Sequence, residues 1–148
     1  MVDDFQIQFQ HGDILFIRSG FTAAYNKLND CQRKDLAHRP SPDSIGVDAS
    51  EKTLRWLWKH QFGAVAGDAP SFERAPIRGA HADPNYNLHE WLLAGWGCPI
   101  GELFDLEALS KHCKATGRYT FFLSSMPLKV RLTSLSTVCL DANRSGCR

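Results

Sequence analysis

One unit of this chain, residues 48–68, constrains the fold more than any other stretch. Its first part carries apolar residues at helical spacing, and either Asp48 or Ser50 can cap the helix that they indicate. A continuous apolar run then follows at 62–66 and leads to Asp68, and a run of this length is typical of a buried strand. A helix, a buried strand and a polar residue at the strand end predict an α/β fold, in which sites form at strand ends.

Similar patterns predict the other elements of a single mixed α/β domain. Strands are expected near 14–18, 62–66 and 119–123, and helices near 22–36, 50–60, 86–95 and 105–114. Residues 98–100 are expected to form a short extended segment, and the stretch at 69–84 reads as a long irregular loop of the kind that is often functional.

The stretch from Asp83 to Glu102 carries two residues that can bind metal. His89 lies in the first turn of the predicted helix, which Asn85 or Asn87 can cap, and Glu102 follows the extended segment. Imidazole and carboxylate groups are both common ligands of divalent metals, and a helix followed by a strand can bring them into one site. The alternative is a capped surface helix on which both residues are ordinary polar side chains.

Composition excludes several classes of function. The chain has 148 residues, 17 of them basic and 16 acidic, and its net charge of +1 argues against a nucleic-acid or membrane-surface protein. No apolar stretch approaches the roughly 20 residues of a membrane span, and no secretory signal follows the acidic start. Five irregularly spaced cysteines without a CxxC motif indicate reduced thiols. We therefore expect a cytoplasmic protein.

Four segments together resemble the cyclase family, which includes the bacterial kynurenine formamidases and many fungal members. The segments read GDILFIRSGF, GAVAGDAPSFE, HEWLLAGWGCPIGELFDLEAL and GRYTFFLSSMPLKV. The similarity covers most of residues 10–130 but only the carboxyl half of the family domain. It implies a partial, truncated domain of the family's swivelling β/β/α type, with residues 131–148 as a divergent tail outside the fold.

The resemblance implies a metal-dependent hydrolase that uses zinc or manganese on a small-molecule amide or ester, as in the arylformamidases of tryptophan catabolism. His89 and Glu102 match the two metal ligands of the family's carboxyl half. Asp68 matches a segment that lines the site, and Glu73 stands where an aspartate is more usual. His81, in the loop before His89, is kept as a further candidate for lining the site.

The sequence also departs from the family. Its usual His-x-Gly-Thr-His-x-Asp motif, which supplies most ligands, is absent, and the sole histidine before residue 30 is His11. From Arg131 onward the family pattern is lost, and this tail is expected to be poorly ordered or loosely docked. We therefore expect metal binding to be weak or absent, and the chain alone to be inactive, with no catalytic residue assigned.

The sequence leaves two alternatives open. Cys98 lies close to His89 in sequence, which allows a nucleophilic thiol, although a buried inert cysteine fits the surrounding sequence better. The chain could instead be a non-catalytic α/β module that forms a homo-oligomer or pairs with a full-length homologue. The remaining histidines read as ordinary surface or helix-end residues: His38, His60, His112.

Overall fold

The computed structural model describes residues 7–41, 43–77 and 83–124, and these form a mixed α/β architecture, as predicted. The strands in that part of the chain are β1 (Ile14–Ile17), β2 (Ala64–Gly67) and β3 (Ile100–Gly101). The helices there are α1 (Phe21–Tyr25), α2 (Asp30–His38), α3 (Glu51–His60) and α4 (Glu107–Thr116). A 3₁₀ turn (Pro84–Tyr86) and a π-helix (Glu90–Gly95) lie between β2 and β3.

Within the described ranges the strands form one parallel sheet in the order β1-β2-β3. Leu15 lies opposite Val65, which in turn lies opposite Ile100. A larger apolar cluster includes residues of α3, the sheet and the segment around the π-helix, and a second includes Ala66 and Leu106 beside α4. Because the strands are parallel, the residues that follow them meet at one edge of the sheet.

The unit at residues 48–68 folds as the pattern predicts. Ser50, rather than Asp48, caps α3, and its hydroxyl accepts a hydrogen bond from the Thr53 N–H at 3.4 Å. Leu54 and Leu57 are buried on the inner face of the helix. Predicted helix 50–60 and predicted strand 62–66 therefore match α3 and β2 to within two residues.

The single helix predicted at 22–36 is wrong, because the chain forms α1 and α2 with a turn between them. Asn29 starts the second helix through a reciprocal cap. Its side chain accepts from the Gln32 N–H at 3.0 Å, and the Gln32 side chain accepts from the Asn29 N–H at 2.9 Å. This capping box stabilises a new helix start at a point where the apolar spacing alone suggests a continuous helix.

The helix predicted at 86–95 is present in altered form. Residues 84–86 make a separate 3₁₀ turn, and residues 90–95 are wound as a π-helix. Asn87, rather than Asn85, caps the helical run that begins at residue 88 and continues into the π-helix, because its side chain accepts from the backbone N–H groups of His89 and Glu90. The wider winding shows in the hydrogen bond from the Trp96 N–H to the Trp91 carbonyl at 2.9 Å.

The strand predicted at 119–123 is wrong, because these residues are irregular in the structure. Their aromatic and β-branched residues favour a strand, but strand formation also requires a neighbour with which to pair. Phe121 contacts Phe16 at 5.8 Å between ring centroids, whereas Phe122 is 94% exposed. The predicted helix 105–114 is confirmed with a small shift as α4.

The divergent tail predicted at 131–148 lies outside the residues that the structure describes. Across the described ranges, every helix is too short or too polar to cross a membrane.

Candidate metal centre

Polar residues follow each of the three described strands at the same edge of the sheet. Ser19 lies just beyond β1, Asp68 follows β2 directly, and Glu102 follows β3 directly. Parallel strands present their carboxyl ends at this edge, which is where open α/β sheets bind ligands. The sheet therefore positions Glu102 at a place that suits a site.

His89 reaches this edge from the helical segment that precedes β3. Asn87 caps the segment by accepting from the His89 N–H at 3.0 Å. The neighbouring Leu88 is completely buried and anchors the segment in the core. The imidazole itself remains about one-third exposed, so it is accessible from solvent.

The His89 ring lies between two carboxylates. Nδ1 is 2.5 Å from Oε2 of Glu73, and Nε2 is 3.2 Å from Oε1 of Glu102. The structure thus brings together the two residues that the sequence predicts as ligands, at a separation within the ~4–5 Å expected for ligands of one zinc. Their role in binding a metal stays a prediction.

Glu73 is the site residue to which the sequence assigns no role. It is 5% exposed, and burial alone would raise its pKa, but the hydrogen bond and charge interaction with His89 outweigh burial and lower the pKa. The same hydrogen bond raises the pKa of His89, against the opposing effect of burial, and the charge of Glu102 adds to the increase. The contact joins residues 16 positions apart, and the sequence carries no local signal for it.

A short backbone pairing holds the loop that carries Glu73. The Val47 N–H donates to the Phe72 carbonyl at 2.8 Å, and the Arg74 N–H donates to the Val47 carbonyl at 2.9 Å. The two segments approach so closely at Gly46 that a Cβ there would lie 2.2 Å from the Glu73 carbonyl carbon. Glycine at position 46 is therefore required for this packing.

Asp68 is completely buried, and its carboxylate binds the turn after β1. It accepts from the Ser19 N–H at 2.6 Å, the Ser19 hydroxyl at 2.7 Å and the Gly20 N–H at 2.7 Å. Burial opposes ionisation, but these hydrogen bonds dominate and lower the pKa of Asp68. The contacts give Asp68 a structural role, and its predicted place in lining the metal site stays a prediction.

The remaining candidates have ordinary surroundings or lie outside the described residues. His81 is in the latter group. Cys98 is buried, and burial raises the pKa of its thiol, which disfavours the reactive thiolate. The Nδ1 atoms of His38 and His60 bond backbone carbonyls of their own helices, and His112 is exposed. Among the described residues, no cluster of three or more His, Cys, Asp and Glu could hold a metal.

Two apolar cavities lie on the α3 side of the sheet, away from this pair. One of about 300 Å³ is lined by Leu57, Phe62 and Cys98 among others. The second, of about 520 Å³, lies beside Trp58 and Trp91. Neither His89 nor Glu102 contributes to their walls, so the carboxylate–imidazole arrangement is separate from both.

A comparison with solved structures finds a protein that is similar to this chain. No family model and no curated protein matches the chain. A structure described as the crystal structure of a novel cyclase is 29% identical in sequence over 87% of this chain, with a TM-score of 0.69. The matched region spans 39% of that protein's chain. The likeness extends over most of the sequence, and it supports a relationship between this chain and the cyclase family.

Proposed function

We propose that this chain carries part of a metal-dependent hydrolase site in which His89 and Glu102 bind one divalent ion, zinc or manganese. The observation that carries the proposal is the 3.2 Å separation between His89 Nε2 and Glu102 Oε1, together with the contact between the other ring nitrogen and Glu73. The likeness to a solved cyclase supports the family resemblance from which this assignment is drawn.

A divalent ion between these two atoms is compatible with the proton arrangement of the His89 ring. An ionised Glu73 has acceptors alone, so the short contact requires a proton on His89 Nδ1. In the neutral ring, Nε2 then presents a lone pair toward the Glu102 carboxylate. Two such atoms repel each other unless a proton or a metal ion lies between them. Ligands about 2.0–2.2 Å from one zinc are at most roughly 4.4 Å apart, so the observed separation fits.

The reaction class that we propose is hydrolysis of an amide or ester in a small molecule, of the arylformamidase-like kind. A divalent ion at this position would activate water and polarise a carbonyl group. The chain's own residues hold and orient the two ligands. Glu73 fixes the His89 ring, and the Phe72 N–H donates to Glu102 Oε1 at 2.8 Å.

We further propose that the isolated chain has no appreciable hydrolytic activity. A catalytic zinc usually keeps three protein ligands and one open position, whereas two are present in this pair. General acid–base assistance is typically worth ~10²–10⁴-fold, and no residue of this sequence matches the family's amino-half acid–base histidine. Further ligands would have to come from outside this pair, for example from solvent.

Hydrolysis of N-formylkynurenine with added zinc or manganese tests this function. His89→Asn is the informative variant, since its amide can keep a donor near Glu73 while it removes the ring nitrogen that faces Glu102. We expect turnover close to background for both proteins, and zinc binding by calorimetry for wild type that weakens at least tenfold in the variant. Turnover of ~1 s⁻¹ or more that vanishes in His89→Asn would contradict the proposed inactivity. Equal zinc affinities would contradict the proposed ligand.

A second candidate is a non-catalytic module that pairs with a full-length homologue. Exposed apolar side chains favour it, namely Leu103, which is 61% exposed, and Ile14 on β1. The solved cyclase is also much longer than the region that this chain matches. Sedimentation of the chain mixed with a full-length homologue would show a faster-moving complex. Independent sedimentation of the two proteins at micromolar concentration would reject this candidate.

A further inference from the structure

We propose that two consecutive residues, Phe72 and Glu73, act as positioning residues that set the orientation of both ligands in the metal pair. The inference rests on the proposed function, because it assigns a purpose to contacts around His89 and Glu102. It adds to the two proposed ligands the residues that orient them.

The side chain of Glu73 determines the orientation of the His89 ring and which ring nitrogen carries the proton. Its Oε2 lies 2.5 Å from Nδ1, and its Oε1 accepts from the His89 backbone N–H at 3.3 Å. One carboxylate therefore contacts both the ring and the main chain of the same histidine. In the neutral ring it holds the proton on Nδ1 and leaves Nε2 available, which is the arrangement found behind metal-binding histidines in general.

The backbone of Phe72 orients the carboxylate of Glu102. Its N–H donates to Glu102 Oε1 at 2.8 Å, and this is the oxygen that lies 3.2 Å from His89 Nε2. The hydrogen bond restricts rotation of the Glu102 side chain, which is otherwise partly exposed. Adjacent positions in one loop thus orient the two ligands toward each other.

Core packing makes these two residues rigid. The Phe72 ring is 3% exposed and belongs to the same apolar cluster as Leu88, the residue before His89. Glu73 and His89 are therefore each next to a residue that is anchored in the core. The backbone pairing with Val47 also restrains the loop. A loop held in this way can keep ligand geometry without a bound ion.

The test measures the His89 ring and the metal affinity separately. Nitrogen-15 NMR of the metal-free protein, at a pH where the ring is neutral, reports which nitrogen carries the proton. Calorimetry with zinc chloride measures affinity. The variants are Glu73→Ala, Glu73→Gln and Glu73→Asp, and Glu90→Gln is the control, because it removes the same charge from an exposed side chain next to His89. Amide spectra verify that each variant is folded.

We expect wild type and Glu90→Gln to carry the proton on Nδ1. Glu73→Ala should lose this preference and bind zinc 10–100-fold more weakly, the usual range for such partners. Glu73→Asp keeps the charge and should restore part of the zinc affinity. The zinc affinity of Glu73→Gln should lie between those of Glu73→Asp and Glu73→Ala. An unchanged proton position in folded Glu73→Ala, or zinc affinity within threefold of wild type, would overturn the inference. Wild type that carries the Nδ1 proton but binds no zinc would instead refute the proposed function.

Discussion

At the scale of single residues, the buried carboxylate of Asp68 connects two strands of the sheet. It follows β2, and it accepts three hydrogen bonds from the Ser19-Gly20 turn that follows β1. Charge-assisted bonds of this kind are shorter and stronger than neutral ones. They hold the turn after β1 against the end of β2, at the edge where Glu102 also lies.

Asp68→Asn should lower the free energy of unfolding by about 1.5–3 kcal/mol, because an amide loses the charge and directs N–H groups toward other donors. The folded-state pKa of Asp68 is lowered. Its contribution is therefore complete above the unfolded pKa of about 3.9, and it is lost as pH falls through the folded-state value. Urea unfolding of both proteins between pH 7 and pH 3 measures this contribution.

A control for this measurement is Asp105→Asn, which alters an exposed acid that accepts one backbone hydrogen bond. We expect it to change stability by less than about 1 kcal/mol. If the difference between wild type and Asp68→Asn stays constant down to pH 3, the carboxylate does not contribute in its ionised form.

At the scale of elements, caps and apolar patterns in the sequence predicted the helix and strand that depend on interactions between nearby residues. α3 and β2 follow from a cap at Ser50, an apolar helix face and a short apolar run, all of which lie within one stretch. The strand expected at 119–123 depends on a partner elsewhere in the chain, and propensity cannot supply that partner. The partnership of Glu73 with His89 is likewise a contact between distant segments, so neither residue signals it alone.

The pairing between the segments at 44–47 and 72–75 leaves no room for a side chain at Gly46. In Gly46→Ala the new Cβ would meet Glu73 backbone atoms at 2.2 and 2.5 Å, distances that real structures essentially never show. The loop must therefore move, and we expect a loss of about 1–3 kcal/mol in stability, as in other overpacked sites. Displacing Glu73 should also weaken zinc binding. Thermal unfolding and calorimetry measure the two effects.

Gly95→Ala is the matched control, because its Cβ would meet nothing nearer than 3.7 Å. It should leave zinc affinity unchanged. If Gly46→Ala also retains wild-type stability and affinity, then the close approach of the two segments is not required for the site.

At the scale of the whole molecule, the topology of the sheet determines where the candidate site lies. In the described part of the chain, three parallel strands end at one edge, and the long loop after β2 folds back so that Glu73 meets the helical segment before β3. The sequence predicted His89 and Glu102 from their residue types and the helix-then-strand pattern, and again through resemblance to the cyclase family, and the structure places them 3.2 Å apart. The metal and the reaction remain proposals that depend on that pair.

Anomalous diffraction from crystals soaked in zinc chloride tests the central claim most directly. Data collected on both sides of the zinc absorption edge locate the ion independently of any assumed ligand. We expect one peak about 2.0–2.2 Å from both His89 Nε2 and Glu102 Oε1, and no peak at that position in His89→Asn crystals. A peak elsewhere, or the undisturbed 3.2 Å contact with no zinc between the two side chains, would contradict the account.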